Sequence, residues 1–214
     1  DNMFWRMQAQ RLLVQRGQKD VVLALLKLLK NQENDKIGIN APAIHALWTL
    51  HGLGAASQEV LEIGLRHSNA DVRKNTLKVM QDIGANDAQA ALRNVSLAFH
   101  YNLLYDSEPL VVLNALLVLS QSELNAEQEA AFFKKLNNSK EVKDRWLPDA
   151  FAVVLTGNGG KLMKVHMAQQ AKASVSESMT MNHNHHQMME MKNEASIVKG
   201  LDLVVTGITM TPSN

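Results

Sequence analysis

The sequence predicts an all-α protein, an α-α superhelix in which helical hairpins stack side by side as a solenoid, with a short β-like tail at the C-terminal end. Three observations predict it. Apolar residues recur at helical spacing in short segments, each bounded by its own start and stop signals. Alanine and leucine carry the apolar content while aromatics make up only 5% of the chain, which favours helices. The first helices of successive pairs begin near residues 2, 42, 70, 108 and 144. Those offsets of roughly 28 to 40 residues suit two-helix repeats, and they imply about five hairpins. A single bundle of long helices is the competing architecture, and segments this short fit it less well.

Asn2–Gly17 (NMFWRMQAQRLLVQRG) reads as a helix with Trp5, Ala9, Leu12 and Leu13 on one face and Gly17 as its stop. Lys19–Lys30 (KDVVLALLKLLK) is its partner, with Val22, Leu25, Leu26 and Leu29 on one side and lysines in the last turn. NQENDKIGIN is a polar connection, and Pro42 suits the first turn of the helix Ala43–Gly54. Ser57 caps the short helix that runs to Arg66. Asn69–Gly84 (NADVRKNTLKVMQDIG) is the most complete helix. Asn69 is its cap, Asp71 sits in its first turn, and Val72, Thr76, Val79, Met80 and Ile83 form one buried face before Gly84 ends it.

A helix follows from Asp87 to about His100, then a turn, YNLLYDSEP, with Pro109 near the next start. Leu110–Leu119 (LVVLNALLVL) is apolar nearly all round and must be covered on several sides, so it belongs in the middle of the stack. Asn125–Leu136 opens with an Asn cap and Gln128 three residues on, a variant of the capping box. Asp144–Leu155 and Lys161–Lys172 form the last pair, with Pro148 distorting or delaying the start of the first. The helical repeat domain is therefore residues 1–172. Residues 173–194 form a polar linker rich in Met and His, and residues 195–214 turn β-branched and alternating, which reads as a strand-like tail.

Composition excludes several functions. Lys+Arg number 22 against Asp+Glu 21, so no large field draws in nucleic acid or an acidic membrane. There is no cysteine, hence no disulfide, zinc ribbon, c-type haem attachment or thiol catalysis within the chain. No apolar run is long enough to span a bilayer, so membrane insertion by this chain is not expected, and the first residues lack the pattern of a signal peptide. Beginning at Asp rather than Met, the chain reads as a piece of a longer protein.

NADVRKNTLKVM, with Asp71 and Arg73, resembles the pattern of HEAT repeats. DNMFWRMQAQRLLVQRG at 1–17 and HALWTLHGLG at 45–54 resemble the HEAT segment of large exported bacterial proteins described as membrane-bound dehydrogenases. Those proteins join a sorbosone-dehydrogenase-like propeller to HEAT repeats and often to a cytochrome c domain. The resemblance spans residues 1–172. It implies a propeller before residue 1, redox chemistry outside this chain, no cofactor in the chain itself, and a periplasmic or cell-surface location. LDLVVTGITMTPSN resembles the first strand of a bacterial adhesion-related immunoglobulin-like domain.

No nucleophile–base pairing is visible, and the His-Glu dipeptides by which deoxyhypusine hydroxylases, also HEAT-like, hold iron are absent, so no enzyme is expected here. Arg6, His45, Trp48 and His51 are the candidate interaction residues, set to line a groove that grips a neighbouring domain or another protein. Packing and solvated charge are the plainer account of the same residues. The other chemical concentration is Met181, His183, His185, His186, Met188 and Met189, where thioether and imidazole ligands suit copper, above all Cu(I). A helix over Glu177–Met191 would put Met181, His185, Met188 and Met189 on one face. Calcium and magnesium want more carboxylates than Glu177 and Glu190 supply. A polar linker with Met as filler is the plainer account.

Overall fold

A computed structural model describes residues 2–138 and 144–181, and every regular element among them is helical. The chain divides between Ala131 and Phe132 into two compact units, residues 1–131 and 132–214. The predicted strand at the end of the chain lies outside the described residues.

Helices α1 (Met3–Arg16), α2 (Val22–Lys30), α3 (Ala41–Gly52), α4 (Gln58–Leu65), α5 (Ala70–Asn86), α6 (Ala88–His100) and α7 (Pro109–Leu119) lie in the first unit. Their starts follow from polar side chains that take up orphan N–H groups. The Asn2 carboxamide accepts from the Phe4 N–H, Asn40 from Ala43, Ser57 from Val60, Asn69 from Asp71 and Val72, and Asp87 from Gln89 and Ala90. The predicted capping box closes in both directions: Gln128 N–H donates to Asn125 Oδ1 and Asn125 N–H to Gln128 Oε1. Gly17 ends α1 at φ 69°, a left-handed conformation that suits a residue without Cβ.

Helix α3 packs on α1 and α2, α5 on α3 and α4, and α6 and α7 on α5. The helices α1, α3, α5 and α7 thus form a row in which each member packs on the next. The core runs along that row through Leu47, Leu50, Val72, Leu77, Val79, Met80, Ala115 and Leu116, none of them more than marginally exposed. Helix α7 is covered on several sides as its composition requires, although Leu110 is exposed at its start.

Three details differ from the sequence reading. In α1 the inward side is Arg6, Gln10, Leu13 and Val14, whereas Trp5 and Leu12 are 69% and 59% exposed. Polar residues win that face because His45 of α3 offers Gln10 a partner. Gly84 does not end α5, which continues to Asn86. It is buried inside the helix, where a Cβ would come within 2.6 Å of Gln121 Oε1 and 3.3 Å of Ala91 Cα. Its job is close approach. The last pair is assigned as one element, α9 (Leu147–Met181), extending past the predicted end at Lys172 into the stretch read as linker.

The expected break survives in α9 as a single residue, Gly160, at φ 72°. Start signals agree better: Asp144 Oδ1 accepts from the Trp146 and Leu147 N–H groups, and Pro148 sits in the first turn, where its missing N–H costs nothing. In the second unit Phe132 and Phe133 of α8 (Ala126–Asn138) meet α9 on both sides of Gly160. Phe132 lies 5.8 Å from the Phe151 ring, and Phe133 stacks parallel on His166 at 5.8 Å.

Candidate interaction surface on helices α1, α3 and α5

Arg6 lies on α1 and His45, Trp48 and His51 on α3, and the polar atoms of the three α3 side chains bond to residues of the neighbouring helices α1 and α5. His45 Nδ1 hydrogen bonds Gln10 Oε1 of α1 at 2.7 Å. Burial, and then the Arg6 charge beside it, hold the His45 imidazole below the usual histidine value. The Trp48 indole N–H donates to Asn75 Oδ1 of α5 at 3.0 Å, and its ring meets that of His51 edge to face at 5.8 Å. His51 Nε2 pairs with Asp82 Oδ2 of α5 at 2.6 Å. Further along the row, Gln81 donates to the carbonyl and side chain of Asn114 in α7.

Gln10, Asn75, Asp82 and Asn114 are the members that sequence reasoning misses. Each is an ordinary polar residue on a helix, without a motif around it. The available signal is separation: these bonds join residues 35, 27, 31 and 33 apart, close to the repeat spacing. Elsewhere on the unit the connections also bond to one another. The Asn69 carboxamide donates to Asn34 Oδ1 and to the Gly38 carbonyl, and His67 Nε2–H donates to the Asn31 carbonyl. Arg73, the motif arginine, makes a two-pronged contact with Asp106 at 2.7 and 2.9 Å and also donates to the His67 and Ser68 carbonyls.

A groove of about 540 Å³ runs along α1, lined by Met3, Met7, Val14, Gln10 and Arg11, with His45 on the α3 side. Volumes of this order accommodate ligands or the anchor side chains of a partner. A smaller cleft of about 380 Å³ lies between α6 and the start of α8, lined by residues that include Phe99, His100, Asn102, Tyr105 and Glu127. Among the described residues no group of three His, Asp or Glu side chains is placed to hold a metal ion. Of the predicted copper ligands, Met181 is the last residue of α9. His183, His185, His186, Met188 and Met189 lie outside the described residues. No helix among the described residues is long and apolar enough to cross a membrane.

No family model matches the chain, and neither a curated protein nor a solved structure is similar to it.

Proposed function

We propose that the chain is a non-catalytic helical-repeat scaffold, a HEAT-like solenoid that presents a surface to a neighbouring domain of a larger, exported dehydrogenase-like protein or to a separate protein. The order of packing carries this reading: α1 on α3, α3 on α5 and α5 on α7, with polar bonds between helices recurring near the repeat spacing. Hairpins that bury their faces only against sequence neighbours are the physical basis of a repeat array, and such arrays commonly serve as extended binding surfaces. In this role Arg6, His45, Trp48 and His51 set the spacing of α1, α3 and α5, and the exposed side of α1 meets the partner.

The test is complex formation with the oxidoreductase domain of the parent protein, followed by sedimentation of the purified chain, the purified domain and their mixture. One faster-sedimenting species, with substrate oxidation residing in the domain alone, is the expected result. Unchanged sedimentation, or turnover by the chain alone, overturns the proposal.

A second reading, Cu(I) handling through residues 179–191, is favoured by the extension of α9 as far as Met181, into the Met- and His-rich stretch. Imidazole ligates only when neutral, so binding should weaken as pH falls through about 6.5. Titration against a competing Cu(I) chelator should show affinity tighter than micromolar. Replacing His183, His185 and His186 by Ala and the nearby Met residues by Leu should abolish it. Equal affinity in the two chains removes this reading.

A further inference from the structure

The groove along α1 has a chemistry of its own. Met3 and Met7 are 62% and 52% exposed, and Phe4 beside them is 56% exposed. Flexible thioethers of this kind adapt to the side chains of a partner, and Met-rich surfaces recur at sites that receive amphipathic helices. Charge is one-sided. Neither α1 nor α3 contains an Asp or Glu, whereas α1 carries Arg6, Arg11 and Arg16. Asp20 pairs with Arg16, and Asp82 of α5 pairs with His51. Arg11 stands exposed on the rim of the groove.

We infer that this groove docks an amphipathic helix with acidic flanks, which inserts large apolar side chains between Met3, Met7 and Val14 and sets a carboxylate against Arg11. The inference rests on the scaffold reading and names the partner's chemistry. The groove's volume, about 540 Å³, admits a few side chains and not a whole helix, so the partner lies over it and anchors at i and i+3 or i+4. A second copy of the chain fits less well. Apposing two copies of α1 about a two-fold axis sets one arginine-bearing surface against another, and like charges at an interface select against the pairing.

The experiment uses the full chain and three synthetic helical peptides: one with a Leu stripe and Glu flanks, one with the same stripe and Lys flanks, and one with Glu flanks and the stripe replaced by Ser. Titration calorimetry should show binding of the first and little of the other two. Met3→Ser with Met7→Ser removes anchors from exposed positions, and should weaken the first peptide by about tenfold or more. Arg11→Glu should weaken it by roughly twofold to fivefold and strengthen the Lys-flanked peptide correspondingly. Equal binding of the Glu- and Lys-flanked peptides overturns the proposal, as does undiminished binding by the Met variant. A dimer of the chain alone that the Met variant dissolves also overturns it, by assigning the groove to self-association. Peptide binding without complex formation by the parent domain sinks the parent-domain partner alone. Complex formation without peptide binding sinks the groove assignment alone.

Discussion

Arg73 reaches 33 residues along the chain to Asp106, and both side chains are largely withdrawn from water, at 14% and 8% exposure. Burial alone would raise the Asp106 carboxyl. The Arg73 hydrogen bonds, the Glu108 N–H and the Arg73 charge together outweigh it and hold the group below the ordinary aspartate value. Asp106→Asn should therefore cost about 2–3 kcal/mol at neutral pH, because it leaves a guanidinium with a neutral partner in a dry setting. The sign with pH follows. A carboxyl whose folded value is depressed stabilises the fold fully above its unfolded value, near 3.9, and loses that contribution as pH falls through the lower folded value. Urea melts of the two proteins should differ most near pH 7 and converge in acid. Arg73 was legible as part of a motif, yet its partner sits in YNLLYDSEP, which reads only as a turn. The inward face of α1 was illegible for a related reason. Arg6 and Gln10 look like solvent-facing residues until His45 is beside them.

Among the elements, caps were read correctly because their cause is local: Asn69, Ser57 and the Asn125–Gln128 box each satisfy N–H groups within three residues. Glycines were harder. A stop and a close contact have the same sequence signature, and only the neighbouring helix distinguishes Gly17 from Gly84. The tightest of these contacts is Gly64 in α4, where a Cβ would lie 2.2 Å from Thr76 Oγ1 of α5. Thr76 is fully buried and its hydroxyl donates to the Val72 carbonyl, so it has little room to retreat. Gly64→Ala gains about 1 kcal/mol of helix propensity, but overpacking at a helix crossing typically costs about 1–3 kcal/mol. With the bonded hydroxyl, Cγ2 and Cβ of the β-branched Thr76 all in the way, the expected outcome is a net loss of about 1–2 kcal/mol in chemical denaturation. Adding Thr76→Ala should recover part of it, a coupling that two independent sites would not display.

On the scale of the molecule, the all-helical class of the described residues was legible because periodicity, caps and Ala/Leu content agree in successive segments up to about residue 172. The last pair was not, since GNGG at residues 157–160 reads as a loop although the helix runs through it, with Gly160 left-handed at φ 72°. Leu116 is wholly buried in α7. Leu116→Asp should unfold the first unit, since an unpaired buried carboxylate costs several kcal/mol against a typical reserve of about 5–15. Far-ultraviolet circular dichroism is the check, and a melting temperature equal to that of the parent chain would remove Leu116 from the core.

His67 lies in the turn between α4 and α5 and is only 1% exposed. Its Nδ1 accepts the Asn69 N–H at 3.0 Å while its Nε2–H donates to the Asn31 carbonyl, so both ring nitrogens are occupied and one neutral tautomer is selected. An imidazole so committed has no lone pair to offer an acylating reagent or a metal ion. Reaction at His67 must wait until the Asn31 carbonyl and the Asn69 N–H both release the ring. Among the eight histidines of the chain, its labelling rate is thus a clock for that opening, readable by mass spectrometry while the helices on either side stay folded.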